Sequence, residues 1–214
     1  MGNRRRNEKL FRELGPQVTY AILPHVPFST YFSQLSRETG AQVILHQPME
    51  SEIGKNPGPG VIKTKMSEEE ILMTLDKNLS EVPEHIGINN HMGSLGSADS
   101  HLMKVVLQEL QHRGMFFLDS HTTPHFVSRK IAKSMKFPVL MRDVFLDNVD
   151  QPSYIHSQMN EVRSLARKKG YAIAIGHDRI NTLSVLLEEI PRLEKEGFQV
   201  VFLSELVDHE VGTE

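Results

Sequence analysis

The sequence predicts an α/β protein on a parallel sheet, open or closed into a barrel. Two observations predict it. A helical segment, a turn glycine and a short apolar run recur along the chain, the signature of buried parallel strands alternating with helices. The residues that follow several of those runs are His, Asn or Asp, as expected where strand ends converge on one face.

From the N-terminus, the first strand is expected at Val18 to Leu23. Gly40 precedes Ala41-Gln42-Val43-Ile44-Leu45, and Ser67-Glu68-Glu69-Glu70 reads as a capping box that opens the next helix. A strand at Ile86 to Ile88 follows, then Gly114 before Met115-Phe116-Phe117-Leu118, a helix start at Thr123-Pro124 and a strand around Val139 to Val144. Asp150-Gln151-Pro152 caps another helix, Gly170 precedes Tyr171 to Ile175, and Gly197 precedes Phe198 to Leu203. The four glycines suit the left-handed residue just past a helix end. The pattern amounts to about seven strand-helix units. The one irregular stretch, Pro48 to Met66, is long enough for a functional loop and too short to separate domains, so a single domain over residues 1–214 is expected.

Composition narrows the chemistry. The 214 residues carry a net charge of -3, with 24 Lys and Arg dispersed among 27 acids, which leaves no basic footprint for nucleic acid. There is no cysteine, so a metal must be held by His, Asp or Glu, and the eleven histidines supply ligands. Arg4-Arg5-Arg6 is followed by Glu8, Lys9, Arg12 and Glu13 instead of an apolar stretch, and no run approaches the roughly 20 apolar residues of a spanning helix.

The candidate residues are those at the strand ends. His46 follows Val43-Ile44-Leu45, Asn89-Asn90-His91 follow Ile86-Gly87-Ile88, Asp119-Ser120-His121 follow Phe116-Phe117-Leu118, and Gly176-His177 follow Ile173-Ala174-Ile175. Arg142-Asp143 and Asp147 follow the strand near Val139. Delivered to one face, they form a candidate metal and acid/base site. Asp119 and Asp143 are the stronger acids, because a carboxylate just beyond a buried run must be paired or wet. Glu50 lies in the loop beside His46, whereas His85, His101, His112, His125, His156 and His209 read as ordinary helix or turn histidines.

Leu45-His46-Gln47-Pro48-Met49-Glu50, Gly58-Pro59-Gly60, Gly87-Ile88-Asn89-Asn90-His91-Met92-Gly93-Ser94, Phe116 to Ser120, Arg142-Asp143-Val144-Phe145-Leu146-Asp147-Asn148 and Ala174-Ile175-Gly176-His177 resemble the divergent polysaccharide deacetylase family, in order and spacing, from about Val18 to Val207. The resemblance implies a distorted (β/α) barrel and a metal-dependent hydrolase that removes acetyl groups from an N- or O-acetylated sugar polymer. It implies a divalent metal, Zn by ligand type, held by His46 and His91, with His177 as general acid. Asp119 and Asp143 fall beside the reaction, and Glu50, Asn90 and Asp147 on the substrate side. An acetylated carbohydrate is the implied partner, and export in bacteria the implied location.

One departure matters. Family members begin with a further apolar strand ending in Asp-Asp, then a hydrophobic residue, Gly and often Asn, whereas this chain opens Met1-Gly2-Asn3. The expectation is that the sequence starts inside that motif, without the first strand, the metal-binding Asp and the general base. A site left with His46 and His91 should bind metal poorly and turn over weakly or not at all. The alternative function is a non-catalytic carbohydrate- or partner-binding barrel; a phosphoesterase is disfavoured, since no Gly-rich phosphate loop or Arg cluster faces the site.

Overall fold

A computed structural model describes residues 1–52 and 54–211, with side chains through Val207. Eight helices and seven strands are described: α1 (Glu8–Leu14), β1 (Tyr20–Ile22), α2 (Ser29–Thr39), β2 (Val43–Met49), α3 (Glu68–Ser80), β3 (His85–Met92), α4 (Ser100–His112), β4 (Phe116–Asp119), α5 (Ser128–Met135), β5 (Val139–Met141), β6 (Val144–Phe145), α6 (Pro152–Lys169), β7 (Ala174–Ile175), α7 (Ile180–Lys195) and α8 (Leu203–Val211). β1 to β5 form one parallel sheet in sequence order, and β6 pairs in parallel with β7. Strand order without a reversal distinguishes this winding from the doubly wound sheets, and the fold is an α/β architecture consistent with a distorted (β/α) barrel. Backbone bonds from Arg142 N to Asp119 O and from Asp143 N to Ile173 O carry the curvature from the larger sheet into the smaller one.

The two faces of the strands pack separately. Val43, Leu45, Ile88 and Phe117 face the helices, in a cluster with Phe32, Leu75, Val106 and Leu110. Ile44, Phe116, Leu118, Leu140 and Ile173 face inward, with Leu203. The alternation in β2 places His46 on the inward side, in step with Ile44. In β3 a bulge intervenes: Val43 pairs with His85 but Leu45 pairs with Ile88, so β3 spends three residues where β2 spends two. Ile86 therefore faces inward and Ile88 outward, and the phase beyond the bulge turns Asn89 and His91 to the inside.

The helix signals are largely kept. Ser67 Oγ accepts from Glu70 N while Glu70 reaches back to Ser67 N, closing the capping box, and Gly40 and Gly170 end α2 and α6 in the left-handed region. Three expectations fail. Helix α6 starts at Pro152 without a side-chain cap, since Gln151 makes no cap bond and Asp150 accepts from Asn181. The helix expected at Thr123-Pro124 begins at Ser128, because Thr123 Oγ1 accepts from His125 N in a local turn. No strand forms over Phe198 to Leu203: Gln199 to Phe202 are exposed, and Glu205 takes Phe202 N at 2.8 Å to open α8 instead. Among the described residues that segment has no ladder partner, and an apolar run without one is not a strand.

Candidate functional site

A cavity of about 1000 Å³ opens within the curve of the strands. Its polar end is lined by His46, Asn89, Asn90, His91, Ser120 and His177, its interior by Ile44, Leu118 and Ile173. His46 and Asn89 are register neighbours on β2 and β3, and His46 Nδ1 lies 2.9 Å from Asn89 Oδ1. Asn89 Nδ2 donates to Ser120 Oγ at 3.1 Å, so the amide oxygen is the end that faces the imidazole. The hydrogen is thereby assigned to His46 Nδ1, and the Nε2 lone pair points at His91 Nδ1, 2.9 Å away.

Electrostatics keep both rings neutral. Burial pushes the His46 pKa well below its ordinary value, and the neighbouring His91 and the Met1 ammonium add to the shift. Burial, with the same ammonium and His177, lowers His91 to about 4. The Met1 nitrogen donates to Ala21 O at 2.8 Å, and its carbonyl accepts from Leu23 N, which fixes it along β1.

Neutral imidazoles with converging nitrogens are metal ligands by type. The 2.9 Å separation is that of a hydrogen bond carrying the His91 Nδ1 proton; to share one tetrahedral zinc, His91 must carry its proton on Nε2 and the two nitrogens must stand about 3.3 Å apart. The fit stops at two donors. Among the described residues no group of three His, Asp or Glu could hold an ion, and catalytic zinc takes three protein ligands. Among the described residues His46 and His91, the two ligands expected from the sequence, are the donors that converge.

His177 stands at the cavity mouth, with its ring 5.3 Å from that of Phe145. Its Nδ1 is 3.0 Å from Oδ1 of the fully buried Asp147, which also accepts from His177 N and, at 2.7 Å, from Thr182 Oγ1. Arg179 donates to the Asp147 carbonyl. Burial opposes the Asp147 charge, but the bonds from His177 and Thr182 outweigh it and hold the pKa below the ordinary value. Asp147 thus supports an imidazole from beneath.

The remaining candidates are occupied elsewhere. Asp119 is buried, accepting from His121 N and Ser128 Oγ. Asp143 takes Lys169 Nζ and Ile173 N, which ties the end of β5 to the approach of β7. Glu50 accepts twice from Thr64, whose backbone and hydroxyl hold the carboxyl below its usual pKa. Asn90 faces the β4 loop, accepting from Ser120 N and donating to Met92 O. Sequence reasoning brought His46, His91 and His177 to one cavity; it did not find the roles of Asn89, Ser120 and Thr182, which are orienting partners. The register of β2 against β3 was the signal for Asn89, and it is not a local property of the chain.

Comparison with known proteins adds the lineage. The profile of the divergent polysaccharide deacetylases matches residues 1–207. An uncharacterized protein of Haemophilus influenzae is 34% identical over 190 residues, 89% of this chain and 68% of that protein. The crystal structure of an uncharacterized protein of Agrobacterium tumefaciens C58 superposes with a TM-score of 0.92 at 22% identity, over 96% of this chain and 85% of that one. A CE4 family pseudoenzyme of Bacillus anthracis superposes with a TM-score of 0.52 at 14% identity, over 97% of this chain and 62% of its own.

Proposed function

Because this chain belongs to the divergent polysaccharide deacetylase family, we propose that it serves the hydrolytic removal of acetyl groups from an N- or O-acetylated carbohydrate. The observation that carries the reading is the convergence of His46 Nε2 and His91 Nδ1 beneath a cavity whose mouth holds the Asp147-supported His177. In such a hydrolysis water adds to the acetyl carbonyl, the C–N or C–O bond breaks, and the leaving atom takes a proton. With Nδ1 engaged by Asp147, His177 Nε2 is the atom to which this reading assigns that proton. Asn89 and Ser120 hold the His46 ring in one tautomer. A divalent ion, when bound, would supply a polarised carbonyl and an acidified water, and His46 and His91 would be the residues that hold it.

A second reading, a carbohydrate-binding barrel without turnover, is favoured by the donor set that ends at two among the described residues. The Bacillus relative of similar fold is itself described as a pseudoenzyme. Zinc content and acetate release from tri-N-acetylchitotriose, measured for the native chain and His46→Ala, separate the two. Acetate release lost with His46→Ala supports hydrolysis. Oligosaccharide binding that survives the substitution, with no acetate released by either chain, supports the binding barrel.

A further inference from the structure

A second, smaller hollow of about 250 Å³ adjoins His91, walled by Pro24, Val26, Pro57 and Pro59 and rimmed by Asn3 and Asn56. We propose that this hollow is a subsite for one uncharged pyranose ring of the carbohydrate, next to the unit presented to His46 and His91. The proposal rests on the deacetylase reading of the site and names a specificity that reading leaves open.

Three features argue for it. The volume falls below the roughly 300–1,000 Å³ of pockets for drug-sized ligands, so it takes a single ring. The walls pair apolar proline and valine surfaces, suited to the C–H faces of a sugar, with side-chain amides suited to its hydroxyls. Asn56 spends its Oδ1 on Gly58 N at 3.0 Å, so the group it offers a ligand is the amide donor. Among the described residues no Lys, Arg, Asp or Glu lines the hollow, so an anionic sugar entering it would lose hydration without gaining a counter-charge.

The rim is also preformed. Gly60 O accepts from both Gln47 Nε2, at 3.0 Å, and Asn78 Nδ2, at 2.7 Å, and Asn78 is itself bonded to Gln47. Ile62 N donates to Pro48 O, and Glu50 clamps Thr64. On the opposite wall, Gly2 O accepts from Phe28 N. The carbonyl held by buried Gln47 and Asn78 lies next to Pro59, so ordering entropy at that wall opposes binding little.

The test is calorimetric titration of the whole chain with tri-N-acetylchitotriose, a neutral oligomer, and with a hyaluronan tetrasaccharide, which alternates N-acetylglucosamine with glucuronate. Asn56 is an exposed loop residue, so Asn56→Trp fills the hollow without disturbing the core, as an unchanged Tm will verify. The neutral oligomer is expected to bind the native chain at least tenfold tighter than the anionic one, and Asn56→Trp to weaken it at least tenfold. An affinity within twofold of native in Asn56→Trp, or equal affinity for the anionic oligomer, overturns the subsite. Weakening by Asn56→Trp without acetate release from the native chain supports the subsite and removes hydrolysis. Weakening by His46→Ala but not by Asn56→Trp overturns the subsite and leaves the acetyl site standing. No binding of the neutral oligomer overturns the subsite, and acetate release then reports separately on hydrolysis.

Discussion

Replacing Asp147 by Asn keeps the side chain's volume and removes its charge. The native carboxylate accepts from His177 Nδ1 at 3.0 Å, His177 N at 3.0 Å and Thr182 Oγ1 at 2.7 Å, with no exposure to solvent. The amide retains one acceptor, enough for Thr182 and the backbone N–H, but its NH₂ can bond His177 Nδ1 only by holding the imidazole in the Nε2–H tautomer, a neutral bond in place of the charge-assisted one. One charge-assisted bond is lost, worth about 1.5–3 kcal/mol. The Arg179 contact at 3.8 Å is partly exposed and adds little. Urea denaturation of Asp147→Asn should therefore show about 2 kcal/mol of destabilisation at neutral pH with an unchanged m-value. The pH dependence carries a second signature. Because folding lowers the Asp147 pKa, its stabilisation is present above the unfolded-state value of about 3.9 and is lost as pH falls through the folded value. That part of the acid limb should vanish in the variant. A variant within 0.5 kcal/mol of the native chain, with the same acid limb, would refute the charged, load-sharing carboxylate.

Three further outcomes follow from the same geometry. A Cβ at Gly87 would lie 2.8 Å from the Phe116 carbonyl oxygen and 2.9 Å from its ring, so Gly87→Ala should cost about 1–3 kcal/mol in urea denaturation; a neutral result would mean that β4 yields there. Ser67→Ala opens the capping box of α3 and should cost about 1 kcal/mol in the same assay, with no change in oligosaccharide binding. For the metal-free chain, His91 is lowered from 6.5 to about 4, so the unfolded state takes up the proton first. Stability should fall by about 3 kcal/mol between those two pH values, with His46 acting in the same direction, and His91→Gln should flatten the slope; an equal slope in the variant contradicts it.

Much of the site was legible in the sequence because parallel strands put their C-terminal ends on one face. His46, His91 and His177 needed only the strand runs before them to be placed at one cavity. The carboxylates were not legible in the same way. Asp119, Asp143 and Asp147 all follow buried runs, yet two knit loops and strand approaches while the third supports His177, and which hydrogen bond each makes depends on neighbours 9 to 35 residues away. The expected strand at Phe198 to Leu203 shows the converse limit. Val200, Val201 and Phe202 have strand propensity, but the state of such a run is decided by what lies beside it.

The extra residue in β3 has a bearing on how relatives of this chain are aligned. Upstream of Gly87, inward positions keep step with Ile86; downstream, they keep step with Asn89 and His91. A gap placed a few residues to either side would leave the sequences superficially matched while equating pocket-lining side chains with helix-facing ones. Removing a residue between Ile88 and His91 would swing the imidazole of His91 to the far side of the sheet, whereas removing the extra residue between Ile86 and Ile88 would restore plain alternation and leave it inside.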